Sequence, residues 1–184
     1  MNYGLVIGGI VLVICVVYYL VTYNNLVRLN NKVKESFATM DVYLKKRWDL
    51  IPNLVEVVKG YAKHEKEIIE KITVLRTNSY ENMSTNKKIN INEQLTQDLS
   101  KIMVITENYP DLKANQNFIE LNRNLVKIED EIANSRKYYN GSVRIFNNKI
   151  QMFPSNIIAK IFGFHLANMF EADTNEKNNV KVDV

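Results

Sequence analysis

No residue from Met1 to Val27 carries a charged side chain, and Arg28 is the first that does. Within that run, Leu5 to Tyr23 reads LVIGGIVLVICVVYYLVTY, 19 residues that as a helix span roughly 28 Å, close to the hydrocarbon thickness of a bilayer. A helix apolar on every side has no face to offer water, so the segment predicts a membrane-spanning helix. Tyr18, Tyr19 and Tyr23 fall at its C-terminal end, where interfacial aromatic belts form. A cleaved signal peptide needs a basic start and a small-residue cleavage site. Here no Lys or Arg precedes the run, no Ala-x-Ala follows it, and Cys15 comes after Val13 and Ile14 rather than small residues. Residues 1–23 are therefore expected to form a retained, single-pass anchor. Arg28, Lys32, Lys34, Lys45, Lys46 and Arg47 follow the span while none precedes it, which predicts an outside N-terminus and a cytoplasmic body.

Apolar residues then recur at helical spacing. Leu26, Leu29, Val33, Phe37, Met40 and Leu44 step by 3, 4, 4, 3 and 4, with no breaker between them and Tyr23. Asp49 is a candidate N-cap and Pro52 suits a first turn, so a second helix is expected from there, carrying Leu54, Val58, Tyr61, Glu65, Ile68, Ile72 and Leu75. The polar stretch 78–92 predicts a loop. A third helix carries Leu95, Leu99, Ile102 and Tyr109 and stops at Pro110. The fourth, from Asn115 to Gln151, is roughly 54 Å long and places Phe118, Leu125, Ile132, Tyr139, Val143 and Phe146 on one seam. No β-alternating run occurs, and six glycines and three prolines are too few for a turn-rich β domain. The expected fold is all-α: a transmembrane helix continuing into an antiparallel up-down four-helix bundle over residues 24–170, followed by a disordered acidic tail over 171–184.

In that topology the end of the fourth helix returns toward the bilayer. The segment after it, FPSNIIAKIFGF, concentrates Phe153, Ile157, Ile158, Ile161, Phe162 and Phe164 around a single Lys160. Two roles are open to it: docking on the membrane or a membrane partner, and capping the end of the bundle.

Catalytic chemistry is hard to place. A di-iron bundle needs Glu-x-x-His twice, but Tyr61 and Phe162 stand three residues before His64 and His165. The start of a zinc-protease helix at His64-Glu65 fails at Ile68, where the second histidine belongs. One cysteine, placed in the membrane, excludes a disulfide framework and cysteine-rich zinc sites. Neither a cofactor nor a metal is expected, and nucleic acid is not an expected partner. Glu65 and Ser135 interrupt otherwise apolar seams at roughly 24 and 30 Å from the distal turns, so a polar core layer with Arg136 neutralising Glu65 is one expectation, and a solvent-facing Glu65 the other. Lys45, Lys46 and Arg47 read as a solvated basic cluster or a site for an acidic partner.

Several runs are distinctive: YNNLVRLNNKV from Tyr23, DLIPNLVEVVKGYAKHEKE from Asp49, and KANQNF, SRKYYN and FPSNIIAKIFGF between Lys113 and Phe164. On these the chain resembles the LemA family of bacterial membrane-anchored proteins over nearly its whole length, apart from the stretch near 78–92 and the acidic tail. The resemblance implies a short outward N-terminus, one transmembrane helix and a cytoplasmic helical region, and supplies no active-site residues. It also implies association with membrane organisation, including magnetosome formation, and for some relatives with membrane proteases. The function expected is that of a non-enzymatic scaffold or adaptor at the bacterial cell membrane, its partners being the lipid bilayer and an unidentified membrane or cytoplasmic protein or a second copy. A regulator of a membrane protease or envelope-stress system and a membrane-shaping protein are the alternatives.

Overall fold

The computed structural model of the chain describes residues 3–62, 64–75 and 79–170, and all regular structure among them is helical. The elements are α1 (Tyr3–Tyr61), α2 (Lys66–Leu75), a 3-10 turn (Tyr80–Asn82), α3 (Thr85–Thr106), α4 (Pro110–Ala114), α5 (Gln116–Gln151) and α6 (Ser155–Ile161). The acidic tail expected to be disordered lies outside the described residues.

The apolar stretch opens α1, with Leu5 to Val21 exposed throughout, and no break separates it from the seam of Leu26, Val33 and Met40. It is the one helix among the described residues long and apolar enough to cross a bilayer. At 59 residues α1 is about 88 Å long.

The turn expected at Asp49 does not form. α1 passes through Asp49 and Pro52, and the Asp49 carboxylate accepts from Lys45 Nζ one turn back (3.1 Å) instead of capping an N-terminus. Proline removes a helical N–H and crowds the preceding turn, which normally costs a helix about 3 kcal/mol. Burial outweighs that here: Leu44, Trp48, Ile51, Leu54, Val55 and Val58 are all buried, and an apolar side chain of this size contributes about 1.5–3 kcal/mol. The expected second helix is thus divided, its first half ending α1 and its second half forming α2, with Lys59 favourably placed in the last turn of α1.

The loop expected over 78–92 is also shorter than its composition suggests. Ser84, in an extended conformation, accepts a hydrogen bond from the Lys87 N–H and starts α3 at Thr85. The buried residues of α3 are Ile89, Ile91, Asn92, Leu95, Asp98, Leu99, Ile102 and Thr106, an apolar stripe with polar members at three places. Pro110 opens α4, and the Asn115 side chain accepts from the Phe118 N–H (3.1 Å) to start α5 where the fourth helix was expected.

The described residues form two compact units, one from residues 3–39 with 136–169 and one from residues between 40 and 135 with Phe170. The first has a core of Leu26, Val33, Tyr139, Val143, Phe146 and Ile158; the second is built around Met40, Leu44, Trp48, Ile72, Leu95, Ile102 and Leu112. Both α1 and α5 contribute residues to each unit.

Candidate membrane-interface site

In the first unit the end of the apolar stretch and the segment after α5 come together. Phe162 packs against Tyr19 and Tyr23, with ring centroids 5.6 and 4.5 Å apart, and Phe164 lies edge-on to both Tyr23 (6.2 Å) and Phe146 (6.3 Å). Tilted and edge-on pairs at these separations exploit the ring quadrupole and contribute about 0.5–1.5 kcal/mol each beyond buried area.

Local chemistry explains why the chain takes this path. The Ser155 hydroxyl donates to the Lys149 carbonyl (2.7 Å) and lies 2.9 Å from that of Met152, fastening the start of α6 to the end of α5. α6 ends in a Schellman motif: the Gly163 N–H bonds the Lys160 carbonyl and the Phe164 N–H bonds that of Ala159. Gly163 has φ +67° there, and no atom lies within 4 Å of where a Cβ would be built. Replacing Gly163 with alanine should therefore cost only the left-handed backbone term, about 1–2 kcal/mol. Thermal unfolding of the detergent-solubilised chain measures it, and an unchanged midpoint would contradict this cap.

Beyond Phe164 the chain is tied back onto α5. The Asn147 amide donates to the Ala167 carbonyl and accepts from the Ala167 N–H, both at 2.9 Å, imitating one rung of a β-ladder. The Tyr139 hydroxyl donates to the Asn168 carbonyl (2.8 Å) while its ring packs edge-on against Phe37, and burial pushes the phenol up from its ordinary value.

Of the segment's candidate residues, Ile158 is buried with Ala159, whereas Phe153 (79% exposed), Ile157, Lys160 and Ile161 (66% exposed) face outward. Phe162 and Phe164 stand between, their rings engaged with tyrosines of α1. One face of α6 therefore caps a core while the other remains apolar and open.

Two of the polar core candidates have hydrogen-bond partners of their own. In the second unit Glu65, half-buried, accepts from the Tyr109 hydroxyl (3.1 Å), and Ser135, buried, donates to the Glu131 carbonyl of its own helix (2.8 Å). No hydrogen bond joins Glu65 to Ser135 among the described contacts, and Arg136 belongs to the first unit.

A buried polar centre outside the expected layer forms around Arg47. Arg47, expected on a solvated basic surface, is 1% exposed in the second unit. Its Nη1 donates to Glu129 (2.7 and 3.0 Å) and to Thr96 Oγ1 (2.8 Å), and its Nη2 to the carbonyl and side-chain oxygens of Asn92 (2.9 and 2.8 Å). The seam through Leu44 continues by three to residue 47 and by four to Ile51, so Arg47 occupies the first seam position beyond the expected end at Leu44. Six residues earlier on α1, Asp41 accepts from Tyr80 (2.7 Å) and Lys88 (2.6 Å), and Lys88 Nζ lies 4.6 Å from the centre of the Tyr80 ring.

Burial first, and then the adjoining Asp41 carboxylate, pushes the Tyr80 phenol well above its ordinary value of 10.0. A raised pKa means the unfolded chain loses the proton first, so this contribution is intact below pH 10 and declines as pH rises above it. Melting temperature followed from about pH 9 to 11 should fall less steeply for Tyr80→Phe than for the native chain.

Comparison with known proteins agrees with these elements. The family model described as LemA family matches residues 36–184, taking in most of the helical body. Protein LemA of Metamycoplasma hominis is 26% identical over 159 residues, covering 85% of this chain and 72% of that protein. Magnetosome protein MamQ 2 of Paramagnetospirillum magneticum is 24% identical over 193 residues, covering 91% and 71% of the two chains. Magnetosome protein MamQ of Magnetospirillum gryphiswaldense is 24% identical over 192 residues, with coverage of 90% and 71%. A match that runs from the seam of α1 through α3, α5 and α6 shows that the chain belongs to the LemA family.

Proposed function

We propose that this chain is a non-enzymatic scaffold of the cell membrane, single-pass, with its N-terminus outside and its helices, packed as an antiparallel bundle, inside. The observation that carries this is the continuity of α1, in which the apolar stretch passes without a linker into the buried seams of the helical body. A loose tether would suit an enzyme that searches for substrate; a helix shared between anchor and body suits a protein that holds a partner at a fixed place. The orientation rests on Arg28, Lys32 and Lys34, which follow the span with no basic side chain before it. The buried charges of the second unit support a structural role, because Arg47 and Glu129 engage each other rather than an open cavity. That some relatives are named magnetosome proteins suits a part in building an assembly.

The partner is a protein or a second copy of the chain, held on the exposed surface of the body. Photo-crosslinking residues at Val104 and Val126, both exposed, test this in native membranes. One recurrent protein adduct, or a self-adduct, is expected by mass spectrometry. Lipid adducts alone, or turnover of any substrate by the purified chain, would overturn the scaffold.

A further inference from the structure

We infer that the outward face of α6 and its flanks is a second membrane contact, seated in the headgroup region of an anionic phospholipid leaflet. This rests on the reading of α1 as a transmembrane anchor.

Three observations converge on that occupant. Phe162 packs on Tyr19 and Tyr23 at the end of the apolar stretch, so α6 is continuous with a surface that a bilayer covers. The outward side chains are apolar and unusually open for a soluble surface, with Phe153, Ile157, Ile161 and Leu166 all at least half exposed. A patch of this kind signals an interaction surface, and an in-plane segment with apolar residues below and lysine beside them matches interfacial seating.

Charge selects the lipid. Residues 1–39 and 136–169, the first compact unit, contain eight Lys or Arg side chains and one acid, Glu35, a net charge of +7. The chain as a whole carries only +4, so the positive charge is concentrated in the unit that bears the apolar face. From Ile132 to Phe170 there is no acidic residue at all. A basic unit at this level gains about 1 kcal/mol per Lys or Arg near an anionic surface, a term absent over a zwitterionic one. An acidic protein would satisfy the charge but not the contact with Tyr19 and Tyr23, where the bilayer already lies.

The full chain reconstituted in vesicles tests this. Cys15, the lone cysteine and exposed in the apolar stretch, takes a spin label that reports on the anchor. Labels at Ile161→Cys and Val104→Cys, each in a Cys15→Ser background, report on α6 and on the body. In phosphatidylcholine vesicles containing phosphatidylglycerol, the ratio of oxygen to nickel-chelate accessibility at 161 should exceed that at 104 several-fold, as for a residue seated in the headgroup and acyl boundary. It should fall toward the value at 104 in phosphatidylcholine alone, and in Lys149→Gln/Lys160→Gln over the anionic vesicles. Aqueous accessibility at 161 with Cys15 buried in lipid would overturn the second contact and leave the anchor standing. An aqueous Cys15 would overturn the anchor itself. Equal immersion in uncharged vesicles would overturn the anionic assignment, and an immobilised label shielded from oxygen would assign the face to a protein.

Discussion

Glu129→Ala should destabilise the chain by about 3 kcal/mol, the lower end of the range for stripping one partner from a buried ion pair. The reason lies on the other side of the pair. Arg47 is almost wholly buried, and with Glu129 gone its guanidinium keeps only neutral acceptors, Thr96 Oγ1 and the two oxygens of Asn92. Its Nε already lacks a partner, so the site has no spare acceptor. Glu129 is 36% exposed, so water enters part of the vacated space and keeps the loss from the upper end of the range. For a chain of this length, about 3 kcal/mol lowers the melting midpoint by about 6–12 °C. Arg47→Met should cost much less, since Glu129 can turn to solvent and methionine fills the apolar volume. The double variant Arg47→Met/Glu129→Leu should come close to the native midpoint, because a hydrophobic replacement removes the desolvation cost of both charges. Circular dichroism melts of the solubilised chain measure all three. If Arg47→Met proved as damaging as Glu129→Ala, burial of the arginine could not be what makes the pair expensive to break.

Legibility in the sequence followed how a residue signals its surroundings. The apolar stretch, α5 and the all-helical fold were readable because long apolar runs and long heptad seams have few alternative explanations. The start of α3 was hidden because its inward face carries Asn92, and a stripe containing an amide reads as a polar loop. Arg47 was hidden for the same reason in stronger form: three consecutive basic residues look like a solvated patch, and only the seam position of the third distinguishes it. Glu65 and Ser135 drew notice as polar breaks in apolar stripes, yet Glu65 accepts from the distant Tyr109 and Ser135 donates to a carbonyl of its own helix. Nothing in the linear order of residues 132–170 announces that Phe162 meets Tyr19 across more than a hundred positions. What could be read was the ingredient list: aromatic residues, isoleucines, one lysine and no acid.

Pro52 provides the sharpest separation between the sequence expectation and the structure. In α1 it sits in a helix interior, where proline is about 3 kcal/mol less favourable than alanine. Alanine would also loosen the unfolded chain, which offsets about 0.4–1 kcal/mol of that gain. Pro52→Ala should therefore stabilise the chain by about 2 kcal/mol and raise its melting midpoint by about 4–8 °C. A helix beginning near residue 50 predicts the reverse, because proline is favoured in a first turn and its replacement would forfeit a pre-set φ. Asp49→Ala supplies an independent check. As an N-cap it would cost about 0.5–2 kcal/mol, whereas in mid-helix only its pair with Lys45 is lost, about 0.3–0.5 kcal/mol. A rise with Pro52→Ala together with a near-silent Asp49→Ala is the signature of an unbroken α1. Its consequence is continuity, since a turn at residue 49 would separate the helix of the apolar stretch from the seam of Ile51, Leu54 and Val58.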